Sequence, residues 1–314
     1  MGKKFTLAGA AFLAAAACSL CLGAAGWNPE RFILLYVRLP RTAACLLAGA
    51  ALSVSGAMIQ GVLHNKLASP SIIGVNAGAG LGVTVCCALG ALSGWAVAGA
   101  AFLGACICVL LIVSVAEKAG ASRTTVILGG VAVNAFLNAM SEAITTLVPE
   151  IGMMTADFRV GGFASVSYLR LIPAGVLILL ALAAAFSLHN ELDILALGDE
   201  TAQGLGMEVK KVRTLILTLA AMLAGAAVSF AGLLGFVGLM VPHALRKATG
   251  SQSKYLLPLC ALWGGTFVTV CDTAARVMVS PYELPVGIVL SVLGGPFFLW
   301  LLMKRKGGRN GAGN

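Results

Sequence analysis

The chain predicts an all-α, polytopic membrane protein of about ten transmembrane helices, and three observations carry that prediction. Hydrophobic residues make up 59% of its 314 residues and charged residues only 11%, with a mean hydropathy of +0.97. A soluble domain has roughly 45–50% apolar and 25% charged residues. Apolar runs recur from one end to the other, each near the roughly 20 residues that a bilayer crossing needs. Lys and Arg fall in alternate gaps between these runs, as expected of loops on two sides of a membrane.

Taken in order, the runs predict spans over 5–26, 39–63, 70–91, 94–116, 124–147, 168–188, 213–230, 232–248, 256–278 and 284–303. Lys3-Lys4 before an Ala-rich stretch resembles a signal peptide, but the apolar stretch from Phe5 to Trp27 exceeds the roughly 7–15 residues of a secretory apolar region. It is read as a retained first span. With the N-terminus inside, ten spans return the C-terminus to the cytoplasm. The inner segments then hold Lys3, Lys4, Lys66, Lys118, Arg123, Lys210, Lys211, Arg213, Arg246, Lys247, Lys254, Lys304, Arg305, Lys306 and Arg309, and the outer ones only Arg31, Arg38, Arg41, Arg159, Arg170 and Arg276. This asymmetry accounts for the net charge of +9 without any nucleic-acid partner. Residues 1–314 read as one transmembrane domain.

Two connections are long enough to carry function. The outer one, Pro149 to Tyr168, could hold a short interfacial helix. The inner one, within 190–212, sets Leu192, Leu195 and Leu197 beside Asp193, Asp199 and Glu200, and Thr201 to Leu205 could form a short helix ended by Gly206. Such amphipathic helices at the inner surface suit a protein partner, or else form an ordered linker.

The nine cysteines lie mostly inside apolar runs, and no Cys pair or His completes a metal-binding pattern. They read as small buried residues, with no metal site. His243 shares its segment with no other His and no carboxylate, and reads as structural.

Polar residues inside spans are costly unless they meet water or a partner. Arg38-Leu39-Pro40-Arg41 places two guanidinium groups at the expected mouth of the second span, where they should face something anionic. Asn134, Asn138 and Glu142 stand at i, i+4 and i+8 with Ser141 and Thr145 nearby; on a helix they form one stripe, a candidate wall of a translocation path or interhelical hydrogen-bond glue. Gly49, Ser53, Gly56, Gln60 and His64 form a small and polar face on the second span, and the small residues predict close helix packing.

Several blocks together resemble one family. They are R-L-P-R at 38–41, G-A-x-L-x-x-S-G-A-x-x-Q from Gly49 to Gln60, N-x-L-A-x-P-x-x-x-G from Asn65 to Gly74, and L-A-L-G-D-E-x-A at 195–202. G-F-V-G-L-x-V-P-H-x-x-R at 235–246, E-L-P-V-G at 283–287 and G-x-P-F-F at 294–298 continue the series. In this order they resemble the permease subunit of type II ABC importers for iron-siderophore, haem and cobalamin. Lys66 and Leu233 stand where that family commonly has Pro, and Phe158 where it has Trp.

The resemblance implies a non-enzymatic permease in the bacterial cytoplasmic membrane, moving substrate by alternating access. It implies a dimer with a second copy or a sister permease, two cytoplasmic ATPase subunits carrying ATP-Mg, and an extracytoplasmic substrate-binding protein. No cofactor is expected to be covalently bound to the chain. By the same resemblance, Arg38, Arg41 and Arg276 would pair with acidic residues of the binding protein, although an i,i+4 pair with Asp272 is the other reading for Arg276. Ser122 and Thr124 would mark a cytoplasmic gate, and Leu195, Gly198, Asp199, Glu200, Ala202 and Gly206 the ATPase-coupling surface. The chain has no G-x-x-x-x-G-K-[ST] phosphate loop, so ATP hydrolysis would belong to another polypeptide. A carrier driven by an ion gradient would instead use Glu142 as its ion site, but it would have no use for the L-A-L-G-D-E loop. A purely structural membrane subunit would have no use for the polar stripe.

Overall fold

The computed structural model describes residues 1–23, 30–118 and 123–307. Among the described residues every regular element is helical: α1 (Gly2–Cys21), α2 (Arg31–Ile33), a π-helical turn (Leu34–Arg38), α3 (Leu39–Val62), α4 (Val75–Ala88), α5 (Gly94–Lys118), α6 (Arg123–Leu147), α7 (Pro149–Val160), α8 (Tyr168–Ser187), α9 (His189–Leu195), α10 (Asp199–Gly204), α11 (Val209–Ala231), α12 (Val237–Thr249), α13 (Ser253–Val277) and α14 (Val286–Gly307). Seven segments are long and apolar enough to cross a membrane, with α4 and α14 as shorter apolar helices. Each of the ten expected spans corresponds to one helix.

Three spans differ from expectation in instructive ways. The second is continuous from Arg31 to Val62, so Arg38 and Arg41 lie inside a helix and not at its mouth. Pro40 has no N–H to donate and would break a regular helix; the π-helical turn just before it absorbs the mismatch. The third and eighth spans are half-broken: 70–74 and 232–236 are not α-helical, and α4 and α12 have only 14 and 13 residues. Irregular backbone at membrane depth must find other hydrogen-bond partners, and the motif residues supply them. Asn65 Oδ1 accepts from Leu67 N at 3.0 Å, Gly74 adopts φ +89°, and Asn134 of α6 donates to the carbonyls of Ser71 at 2.9 Å and Ile72 at 3.2 Å. Beside the second break, Gln60 donates to the Gly238 carbonyl at 3.1 Å in the first turn of α12, and Phe236 takes φ +65° with its ring over Gly294.

α3 is the central post. It packs on α13, α11, α12 and α8, and nearly every residue from Ala48 to Gln60 is buried. A Cβ on Gly49 would overlap the backbone of Gly264, and one on Gly56 the backbone of Gly238; this is the close approach expected of the small-residue face. Ser55 donates to the Ala220 carbonyl at 2.7 Å, and Arg246 donates to the Ala57 carbonyl at 3.1 Å. α6 and α14 stay peripheral, with Phe136, Leu147, Val292 and Leu299 exposed. Six cysteines are buried as expected and Cys106 is half-buried, but Cys18 and Cys21 are exposed on α1, a peripheral helix.

Candidate functional site

The outer end is organised by the three predicted arginines, and the structure turns them inward. Arg38, Arg41 and Arg276 are 4%, 5% and 2% exposed. Arg41 forms a two-toothed pair with Asp272, its Nε to Oδ2 at 3.0 Å and its Nη2 to Oδ1 at 3.0 Å, and Nη1 reaches Glu283. Arg276 pairs one turn along α13 with Asp272 at 3.1 Å and donates to Ser19 Oγ at 2.7 Å, while Arg38 donates to the carbonyls of Leu20 and Cys21. All three are thus buried and not set at the mouth of a span, and Arg276 makes the i,i+4 pair with Asp272 that was its other reading. Burying a guanidinium is costly unless its donors are satisfied, and Asp272, fully buried, serves two of the three.

Arg41 also opens outward. It lines a cavity of about 290 Å³ together with Glu283, Arg170, Asp157 and the rings of Phe158 and Phe163. Three backbone bonds stitch the walls of this cavity: Leu233 N to Phe158 O at 2.8 Å, Gly162 N to Ala231 O at 2.8 Å and Gly287 N to Gly161 O at 3.1 Å. They join α7, the end of α11 and the start of α14. Leu233 stands where proline is common in the resembled family, and its N–H makes a bond that proline could not.

The predicted stripe on α6 is divided. Asn138 and Glu142 are exposed at the edge of the helix, whereas Asn134 is half-buried and occupied with the 71–72 carbonyls. Ser141, buried between them, exchanges a hydrogen bond with Thr84 at 2.8 Å and accepts one from Arg159 of α7 at 3.0 Å. The exposed polar edge thus continues toward the outer end as far as Arg159, which sequence spacing alone did not group with it. Of the expected gate, Ser122 lies outside the described residues; Thr124 falls in the first turn of α6, and its side chain also lies outside them.

At the inner end the 190–206 segment folds into α9 and α10, and its residues divide between anchoring and display. Leu195 and Ala202 are fully buried, and the Leu195 carbonyl meets His64 Nε2 at 2.6 Å. Asp199 holds Arg213 of α11 with both carboxylate oxygens at 2.7 Å, and Asp193 accepts from the backbone N–H of Ser253 at the start of α13. Gly198 and Gly206 take positive φ, +118° and +83°, which favours glycine. What faces water is Glu200 with Leu197 and Leu205, each leucine 64% exposed. The two leucines belong to the amphipathic segment read from the sequence but not to the coupling residues that the resemblance implied.

The FecCD transport family matches residues 6–304. The chain belongs to that family. FecCD-family relatives include the Fe(3+)-citrate import system permease protein YfmD of Bacillus subtilis, 38% identical over 283 residues that cover 90% of this chain and 84% of that protein. The hemin transport system permease protein HmuU of Yersinia pestis is 34% identical, covering 89% and 85%. The vitamin B12 import system permease protein BtuC of Citrobacter koseri is 35% identical, covering 94% and 92%. A solved structure of a metal-chelate type ABC transporter, in an inward-facing conformation, superimposes with a TM-score of 0.87 at 28% identity, over 97% of this chain and 100% of that one. This FecCD-family chain is accordingly a multi-pass transport permease and not an enzyme.

Proposed function

We propose that this permease forms one half of the membrane path of an ATP-driven importer for a ferric chelate, haem or cobalamin, the cargo classes named in its relatives. A second permease copy or a sister chain would complete the path. Two ATPase subunits carrying ATP-Mg would bind the α9–α10 surface, and a substrate-binding protein would dock at the opposite end, around Arg38, Arg41 and Arg276. One observation carries the reading: two unlike surfaces stand at opposite ends of the same helices. At one end Leu197, Leu205 and Glu200 form an exposed apolar and acidic platform on short helices, and at the other Arg41 sits in a polar cavity. Asn138, Glu142 and Arg159 lie along the exposed side between them. A self-contained carrier needs neither end surface.

The test is uptake by proteoliposomes that hold the permease with its cognate ATPase and binding protein. Ferric citrate, a ferric hydroxamate, haem and cobalamin are offered in turn. Accumulation of one of them that requires both ATP and the binding protein is expected. Accumulation driven by an ion gradient alone, and abolished in Glu142→Gln, would replace this reading with that of a secondary carrier.

A further inference from the structure

Arg41 has two acidic partners of different kinds. Asp272 is fully buried, holds Arg41 through two of its nitrogens and also holds Arg276. Glu283 touches Arg41 through a single nitrogen, its side chain is 35% exposed, and it belongs to the connection that leads into α14. Asp272 is a fixed brace, whereas Glu283 can leave without exposing a buried charge. The cavity that Glu283 shares with Arg41 opens at the outer end and contains a second cation, Arg170, whose guanidinium lies where a side chain on Gly94 would sit. Among the described residues Arg170 forms no ion pair. With Glu283 in place, Asp157 and Glu283 balance the two arginines lining the cavity; with Glu283 withdrawn, Arg41 presents a planar pair of donors in an aromatic-walled recess. A carboxylate satisfies that geometry.

We infer that this cavity is a socket for one acidic side chain of the extracytoplasmic binding protein, and that Glu283 is its resident placeholder, exchanged for the partner's carboxylate on docking. The inference rests on the binding-protein docking proposed above and adds the residue that regulates it. The exchange also has a mechanical outlet. Leu284 N bonds to the Ala275 carbonyl at 3.2 Å and Gly287 N to that of Gly161 at 3.1 Å, so a displaced Glu283 moves the connection that positions α14 against α7. Docking is thereby linked to α7, which packs against α6.

The experiment measures the affinity of the cognate binding protein for the assembled permease–ATPase complex, at low and high ionic strength, in wild type, Glu283→Gln and Glu283→Ala. Removing a competing carboxylate should tighten binding by about three- to tenfold at low salt, chiefly through a faster association rate, with the gain shrinking at high salt. Unchanged or weaker binding in both variants overturns the inference while leaving docking itself intact. Failure of both variants to assemble also overturns it, because Glu283 would then be a structural brace. Absence of any binding to the wild-type complex is the distinct outcome that removes the docking reading and this inference together.

Discussion

Arg41 of α3 and Asp272 of α13 form a two-toothed ion pair with both groups buried, at 3.0 Å, in the outer half of the bundle. α3 and α13 are also the pair of helices whose glycines, Gly49 and Gly264, touch backbone to backbone. One contact therefore sets the separation of these helices and the other their register. Removing one member of such a pair leaves the other charge buried, which costs about 3–5 kcal/mol. Asp272→Asn should lower the thermal unfolding temperature of the purified permease sharply, and Arg276→Met should do so less, because Arg276 shares Asp272 with Arg41. Equal melting temperatures for Asp272→Asn and wild type would refute the brace. It follows that reversing Arg38, Arg41 and Arg276 together to Glu tests folding before it tests docking.

The glycine contacts give a second prediction. Gly56→Ala places a methyl group on the Gly238 backbone, so α3 and α12 must separate. Overpacking of this kind costs about 1–3 kcal/mol, and the yield of folded protein in mild detergent should fall. Gly99→Ala on α5 meets nothing within 4 Å and serves as the control, with stability equal to or slightly above wild type. A Gly56→Ala variant as stable as Gly99→Ala would show that these helices tolerate a wider spacing.

Helices and their order were legible in the sequence because hydropathy and charge asymmetry report directly on a bilayer. Breaks were not. The segments 70–74 and 232–236 are as apolar as helix, and what interrupts them is backbone conformation at Gly74, Gly232 and Phe236, repaired from afar by the Asn134 side chain and the Phe158 carbonyl. The pair of Arg276 with Asp272 was legible one turn apart, but the direction of Arg41 was not, since Asp272 lies far from it in sequence. Likewise the family resemblance grouped Leu195 and Ala202 with the inner surface, but only packing shows that they are buried beneath it while Leu197 and Leu205 are displayed.

That division makes the inner surface testable. Leu197→Glu with Leu205→Glu alters exposed side chains only, so the permease should keep its melting temperature and lose most ATPase copurification. Asp199→Lys instead breaks the pair with Arg213 at 2.7 Å and should loosen α10 as well. Its signature is new protease cleavage within 196–208. Full retention of the ATPase by the double-leucine variant would move the docking surface elsewhere.

Leu233→Pro removes the N–H that bonds to the Phe158 carbonyl, one of three bonds closing the outer cavity. Losing a hydrogen bond of this kind and leaving the carbonyl unmet costs about 1–3 kcal/mol. The expected result is faster amide hydrogen exchange over 156–163, with the α9–α10 end unaffected. Unchanged exchange there would mean that the other two backbone bonds hold the junction alone.

The exposed edge of α6 separates two roles that spacing had merged. Asn138 and Glu142 face outward, whereas Asn134 supplies hydrogen bonds to the broken segment before α4. Single cysteines at 138 and 142, in a background freed of native cysteines, should react with a water-soluble thiol reagent in at least one nucleotide state of the assembled importer. A cysteine at 134 should react slowly in every state, and Asn134→Ala should destabilise the 65–74 segment without abolishing labelling at 142. An apolar helix face exposed to lipid would give the opposite pattern, with no aqueous labelling at 138 or 142 and ready reaction only with membrane-soluble reagents. That pattern would remove this edge from the translocation path and assign Glu142 to a contact between permease chains.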